Sequence, residues 1–223
     1  MQQINDPDAV RAVLTDAAFV VPPVPPAAAG VAWLRATVGR FAGGETHARR
    51  RALAVAILDA VPPETLRAGK GAHPVAVLAQ AMGIDEPVVE LVRDVAQAYQ
   101  PGTGDEPRAD AAVDRLVELA GGAHEEPTAA RIGVLVQACE PTAALIERAR
   151  HRPVGDVLRD DPPVPATKRQ ALAATTAGDV TVAAGEVVRV ALTGELAFGY
   201  GPHRCPGRDH ALAFVTDGVA QIH

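Results

Sequence analysis

The sequence predicts a mainly α-helical protein with a small β-hairpin or sheet near its C-terminus. Two observations predict this class. Apolar residues recur at helical spacing in most segments before Pro153, and β-branched residues alternate or run together after it, around Gly185. The 223 residues contain no internal repeat and suffice for one compact domain with its own core. We therefore expect a single domain over residues 1–223.

Local start and stop signals define the helices in chain order. Asp6 and Pro7 predict a capped short helix that continues through Leu14. The Pro/Ala-rich segment that follows, up to residue 30, is predicted to be a connector, and a turn-rich break is predicted over 101–107. The other helices before Pro153 are predicted over 46–60, 74–82 with a C-cap at Gly83, 87–99, 110–120 and 128–150.

The last third of the chain has a different pattern. The β-branched runs Val180–Val182 and Val187–Leu192 predict a small hairpin. A Gly- and Pro-rich loop over 199–207 then leads into a final helix through Leu212 and Phe214. Only 4 Phe, 2 Tyr and 1 Trp are present, so a large apolar cofactor would fill a core that is poor in bulky residues; the alternative is a GC-rich coding bias, which 19 Arg against 2 Lys also fits.

Composition excludes several classes of protein. The net charge of -6 argues against nucleic-acid binding, because a phosphate-reading surface carries a basic excess. The charge-free stretch Ala17–Leu34 contains four prolines that break any membrane-spanning helix, so this stretch is predicted to be a loop. The first residues lack the pattern of a signal peptide, and the two cysteines fit neither zinc spacing nor a disulfide framework. We expect a cytoplasmic protein that contacts neither nucleic acid nor membrane.

One loop carries the most specific pattern in the chain. Residues 198–207 match F-x-x-G-x-H-x-C-x-G at each specified position, with Phe198, Gly201, His203, Cys205 and Gly207. A cysteine just before a helix lies where backbone N–H groups and the helix dipole favour thiolate. Gly201 and Gly207 allow a tight turn and a close approach to a flat ligand. Such a thiolate can ligate a haem iron; the alternative is a buried cysteine in a glycine-rich turn.

At these residues the chain resembles the cytochrome P450 family, whose haem-binding signature has this pattern. The resemblance implies a reduced cytochrome P450-like fold that binds haem b, with Cys205 as the proximal ligand of the iron. It also implies that Phe198 packs beside the sulfur and that His203 contacts a haem propionate.

Three further residues fit the propionate site that the resemblance implies. His47 and Arg51 form the family's His-x-x-x-Arg motif, and their spacing of four residues places both on one helix face. Arg169 lies in a segment that resembles the one after the family's K helix, and it is implied as a third propionate contact. Two cations at this position would neutralise carboxylates. The alternative for an arginine-rich helix start is a solvated face.

The helix predicted over 128–150 resembles the family's central I helix, where an acid and a threonine deliver protons to iron-bound dioxygen. Glu140 supplies the acid, but Pro141 occupies the usual threonine position and Thr142 follows one residue later. Proline would free the carbonyl of Gln137 and kink the helix. Glu140 and Thr142 are the candidate catalytic residues; a polar patch on a core helix is the alternative.

Other segments depart from the family, whose members are usually much longer. The meander before the cysteine loop is absent, and the stretch Tyr99–Thr128 is too brief for the usual lid helices. Asp156 and Arg159 stand where the family has Glu-x-x-Arg. We expect an open distal face, which a second copy of the chain or a partner enzyme would cover.

The leading interpretation is a haem-thiolate oxidoreductase that oxidises a small organic molecule in biosynthesis, as a monooxygenase or a peroxide-using variant. A ferredoxin-type protein is the expected electron donor if dioxygen is used. The alternative is a non-catalytic, P450-derived haem-binding sensor or accessory protein, which the missing pocket elements favour. A third hypothesis, a fragment that binds no haem, conflicts with the retained ligand and propionate residues.

Overall fold

The computed structural model describes residues 1–69 and 71–216. Its helices are α1 (Pro7–Thr15), α2 (Gly30–Thr37), α3 (Gly44–Asp59), α4 (Pro63–Leu66), α5 (Pro74–Ala81), α6 (Val89–Ala98), α7 (Glu106–Ala120), α8 (Glu126–Ala149), α9 (Val154–Asp160) and α10 (Arg208–Ala213). Its strands are β1 (Gln3–Ile4), β2 (Phe19–Val20), β3 (Ala166–Ala171), β4 (Thr175–Ala177), β5 (Val180–Val182) and β6 (Val187–Ala191). The predicted class, mainly α with a small sheet, is confirmed.

Each helix predicted from the sequence has a counterpart, and the capping signal predicted at the start of α1 is used as expected. The Asp6 side chain accepts a hydrogen bond from the N–H of Ala9 at 2.9 Å, and Pro7 is the first residue of α1. The break predicted over 101–107 ends earlier than expected, since α7 begins at Glu106. The Asp105 carboxylate caps α7 by accepting a hydrogen bond from the N–H of Arg108 at 3.1 Å.

Helix α2 corrects the prediction of a loop over 17–34. The prolines of this stretch end before Gly30, and Val31, Trp33 and Leu34 are buried once the helix forms. No side chain at the residue before α2 caps it; instead the N–H of Val31 donates to a carboxylate oxygen of Asp110 in α7 at 2.8 Å. The cap comes from a distant helix, so local sequence does not show it.

The predicted hairpin is also wrong, because its two strands lie in different sheets. β5 pairs antiparallel with β4 in a two-stranded sheet, whereas β6 belongs to a four-stranded sheet with the order β1-β6-β3-β2. The turn between β5 and β6 is held by β3: the N–H of Gly185 donates to the carbonyl of Ala171 at 2.8 Å. Arg169 in β3 lies opposite Val188 in β6. The larger sheet thus fixes the position of Arg169.

Helix α8 is the centre of the helical part of the described chain. It contacts α3, α5, α6 and α7 and buries Ile132, Leu135 and Leu145. The helix continues across Pro141, so the proline does not end it. An 18-residue stretch of α8 has a mean hydropathy of 1.2, which would suit a membrane span. However, 50% of that stretch is buried inside the protein, as is typical of a core helix.

An ion-pair network joins the start of α3 to the start of α8. Two guanidinium nitrogens of Arg49, Nε and Nη2, donate to the two carboxylate oxygens of Glu126, at 2.9 and 2.8 Å, and Arg50 donates to the same carboxylate at 2.8 Å. Hydrogen bonds from Arg49 and then Arg50 lower the pKa of Glu126 to about 2. The network therefore anchors the helix that carries His47 and Arg51.

Replacing Glu126 with Gln should lower the free energy of unfolding at pH 7 by about 1 kcal/mol, a value limited by solvent screening. The folded-state pKa is depressed, so this contribution is present above the unfolded value of 4.5 and is lost as the pH falls toward 2. Urea unfolding at a series of pH values measures it. Glu118→Gln, which removes an exposed partner of Arg115, is the control and should change stability little. An equal loss for Glu126→Gln at pH 7 and pH 3 would contradict the assignment.

Candidate functional site

Backbone hydrogen bonds shape the loop that carries Cys205. The N–H of Cys205 donates to the carbonyl of Phe198 at 2.8 Å and closes the loop at its base. Within it, the N–H of Arg204 donates to Gly201 at 3.1 Å. Only residues 192–197 separate β6 from this loop, so the sheet and the cysteine are closely connected along the chain.

The two glycines of the motif have different roles. Gly201 has a φ of +65°, and a Cβ there would lie 2.8 Å from a methyl carbon of Thr15 and 3.0 Å from the carbonyl oxygen of Leu14. This close approach is to helix α1, whereas the sequence predicts an approach to a flat ligand. Gly207 has a φ of -92°, which any residue adopts, so the predicted tight turn does not depend on it. Its backbone instead donates a hydrogen bond to the thiol of Cys205.

The Cys205 thiol lies in a concave part of the surface. Solvent reaches the residue, yet burial among protein atoms is the largest cause that raises the pKa of its thiol. The Gly207 hydrogen bond and the charges of Arg51 and Arg40 act in the opposite direction but do not outweigh it. Burial therefore opposes the thiolate that the sequence predicts at this position. Helix α10 has six residues, too few for a strong dipole.

Helix α3 and the cysteine loop meet at two histidines. The rings of His47 and His203 lie 3.8 Å apart between centroids, at an angle of 31°. Burial lowers the pKa of His203 to about 3, with His47 and Arg169 as further causes. Burial and the charge of Arg51 also lower the pKa of His47. Both rings are therefore neutral at pH 7 and can donate hydrogen bonds to an acceptor.

Arg169 is the most buried cation of this region, with 4% of its surface exposed. Burial, followed by the charge of Arg40, lowers its pKa to about 10, so it remains charged at pH 7. One guanidinium nitrogen donates to the carbonyl of Lys168 at 2.8 Å. A buried charge satisfied only by neutral acceptors is costly and is stabilised when an anion binds.

Six basic residues on or near the cysteine loop act electrostatically on Cys205 or on one another, and we call them the basic cluster: Arg40, His47, Arg51, Arg169, His203 and Arg204. Within residues 1–69 and 71–216, none of the six forms an ion pair with a carboxylate. Sequence analysis missed Arg40 and Arg204. The cluster suits a ligand with at least two negative charges.

Phe198 lies between the cysteine loop and the end of α8. Its ring packs with a small apolar cluster that includes Leu145, Val157 and Leu212. The guanidinium carbon of Arg208 lies 5.7 Å from the centre of the ring. Phe198 therefore anchors the base of the loop to α8 and α10.

The structure does not bring Glu140 and Thr142 together. Residues two apart on a helix lie about 200° apart around its axis. Glu140 is exposed, and its charge acts on His73, at the start of α5, and on the neighbouring Cys139. Thr142 is buried, with 5% exposed. The two side chains point away from each other and do not form one acid–alcohol pair.

The altered Glu-x-x-Arg motif keeps its ion pair on α9. A guanidinium nitrogen of Arg159 lies 2.5 Å from a carboxylate oxygen of Asp156, and another lies 3.0 Å from Asp160. The pair survives the shorter side chain of Asp156, although both residues are partly exposed to solvent.

Comparison with known proteins gives matches at the level of structure. No family model and no curated protein matches the chain. P450BioI, solved in complex with an acyl carrier protein ligated to hexadec-9Z-enoic acid, is similar with a TM-score of 0.73 at 19% identity, over 93% of this chain and 80% of that chain. A thermophilic cytochrome P450 from Sulfolobus tokodaii has a TM-score of 0.73 at 15% identity, over 93% and 82%. Cytochrome P450 TxtC, which hydroxylates thaxtomin, has a TM-score of 0.62 at 18% identity, over 93% and 80%.

These similarities cover nearly the whole chain, although the sequence identities are low. The helices around α8 and the small sheet are shared features of one architecture, and the resemblance seen in the residues around Cys205 is confirmed for the fold. The chain therefore has a cytochrome P450 fold, in a reduced form.

Proposed function

We propose that the protein binds haem b, with Cys205 as the iron ligand and the basic cluster as the site of the two propionates. The observation that carries this proposal is that a single thiol lies among six basic side chains with no carboxylate partner in the described chain. Within residues 1–69 and 71–216, no group of three or more His, Cys, Asp or Glu side chains could hold a metal ion. A metal at Cys205 would therefore bring its other ligands with it, as iron in a porphyrin does.

The residues present fit a haem chemically. The neutral His47 and His203 rings and the charged Arg51 and Arg169 guanidiniums would donate to the propionate oxygens, and the buried charge of Arg169 would gain an anionic partner. Cys205 would bind the iron as thiolate, supported by the hydrogen bond from Gly207. Haem with a thiolate ligand supplies oxidation chemistry by electron donation from sulfur to iron.

We infer that this chemistry serves as a P450-type oxidoreductase acting on a small organic molecule. The P450 fold over most of the chain supports this proposal. A ferredoxin-type electron donor and a second copy or partner enzyme over the distal face belong to the same proposal. P450BioI was solved with an acyl carrier protein, so a carrier-bound substrate is one form that a protein partner would take.

The second candidate is a non-catalytic haem-binding sensor or accessory protein. Pro141 stands where the family's threonine is expected, and Glu140 and Thr142 point in different directions. This separation supports a function that does not need Glu140 and Thr142 to act as a pair, and the proposed haem binding by Cys205 and the basic cluster does not involve either residue.

Replacing Cys205 with Ala should abolish the thiolate signature of the haem-loaded protein. Reduction and addition of CO should give the red-shifted Soret band in the wild type, because only a thiolate ligand produces it. Cys139→Ala is the matched control, since Cys139 is buried in α8 and should leave the band in place. A normal wild-type band that persists in Cys205→Ala would refute the ligand assignment.

Arg169→Gln should weaken haem binding about tenfold, the effect of losing one charge-assisted hydrogen bond. Titration of the ligand-free protein with haemin, followed by absorbance, measures the affinity. Arg189→Gln is the control, because Arg189 lies on the adjacent strand β6 but is exposed. The haemin affinity of this variant should equal that of the wild type. If the wild type, Arg169→Gln and Arg189→Gln bind haemin with equal affinity, Arg169 does not contact a propionate.

Turnover separates the two candidate functions. With haem loaded, the oxidoreductase should oxidise a phenolic reporter with peroxide at least tenfold faster than Cys205→Ala, because thiolate ligation favours O–O bond cleavage. If the protein is instead a sensor or accessory protein, it should still show the red-shifted CO band. Its rate of reporter oxidation should then be no higher than that of Cys205→Ala. Comparison of initial rates under matched haem occupancy therefore decides between them.

A further inference from the structure

The turn between α2 and α3, Gly39–Phe41, is clamped between two helices. A Cβ at Gly39 would lie 3.3 Å from the backbone nitrogen of Arg51 in α3. On the other side, a Cβ at Gly133 in α8 would lie 3.0 Å from a methyl carbon of Val38, the residue before the turn. Glycines at both contacts permit this close approach, which fixes Arg40 beside the backbone that carries Arg51.

Arg40 has no acidic partner in this fixed position. Its side chain is half-buried, and among residues 1–69 and 71–216 no carboxylate pairs with it and no hydrogen bond from its guanidinium is formed. The guanidinium carbon lies 5.7 Å from the ring centre of Phe41, which in turn packs edge-on against Tyr99 at 5.3 Å. This aromatic pair joins the turn to the end of α6.

The charge of Arg40 acts on the interior of the basic cluster. It is a cause of the lowered pKa of Arg169 in β3. Arg40 and Arg169 therefore lie within electrostatic range of each other without an anion between them. Two like charges in a partly buried region repel strongly, so their arrangement is stabilised only when an anion binds both.

We propose that Arg40 binds a propionate carboxylate of the porphyrin together with Arg169, as a further contact contributed by the turn 39–41. This inference rests on the proposed haem function, and it extends the site beyond the residues that carry the sequence motifs. The same clamped turn makes the contact available without rearrangement of α3 or α8.

The proposal predicts opposite effects of Arg40→Gln on the ligand-free and the porphyrin-bound protein. Loss of the positive charge relieves the repulsion with Arg169, so the ligand-free variant should melt at a higher temperature than the wild type. The same variant should bind porphyrin more weakly. A residue with a purely structural role would lower both stability and affinity, so the two measurements separate the roles.

The experiment uses iron-free protoporphyrin IX and its dimethyl ester, followed by porphyrin fluorescence. The wild type should bind the free acid more tightly than the ester, because only the free acid carries carboxylates. Arg40→Gln should reduce this ratio of affinities about tenfold, as expected for one lost charge-assisted hydrogen bond. Arg40→Lys should recover part of the ratio, since it keeps the charge without the planar fork.

Arg115→Gln is the control for loss of one positive charge, because Arg115 is exposed on α7 and pairs with Glu118. It should leave both the ratio and the melting temperature unchanged. The inference is overturned if Arg40→Gln keeps the wild-type ratio, or if free acid and ester lose affinity equally. Absence of porphyrin binding by the wild type would instead overturn the proposed function, and the inference with it.

Discussion

Electrostatic repulsion among the basic side chains around Cys205 is the constraint that the neighbouring structure has to satisfy. Arg169 is held in place by the pairing of β3 with β6, and His47 and Arg51 are held by α3, whose start is tied to α8 through Glu126. Each of these elements is anchored from outside the cluster. The fold therefore maintains an arrangement of charge that is unfavourable without a ligand and favourable with one.

This arrangement separates the requirements of binding from those of catalysis. Thiol, histidines and arginines converge from α3, β3 and the cysteine loop. Glu140 and Thr142 do not converge in this way: Glu140 is exposed toward the start of α5, and Thr142 is buried in the packing of α8. The residues proposed to bind the cofactor therefore lie together, whereas the two candidate catalytic residues do not.

Most of the helices and the residues of the cysteine loop could be predicted from the sequence. The features that could not be predicted have physical causes. The helices with local caps, such as α1 with Asp6, and the residues of the cysteine loop were predictable because their signals are adjacent in the chain. Helix α2 was missed because its cap is Asp110 in another helix. β5 and β6 were predicted to pair with each other, but β5 pairs with β4 and β6 with β1 and β3. The partner of a strand depends on the whole sheet and not only on the neighbouring strand in the chain. Arg40 was missed because its neighbours come from α3, β3 and the cysteine loop, which sequence spacing does not relate.

The parallel pairing of β1 with β6 has a consequence for the order of folding. Gln3 pairs with Arg189, so two residues that lie far apart in the sequence must meet before the larger sheet is complete. Pairings between such distant residues form slowly, because the long intervening chain must first be closed into a loop. The helices around α8 can assemble earlier from nearer contacts. Arg169 lies on β3 beside β6 and belongs to this slowly formed sheet, so we expect its position to be fixed later than the packing of the helices.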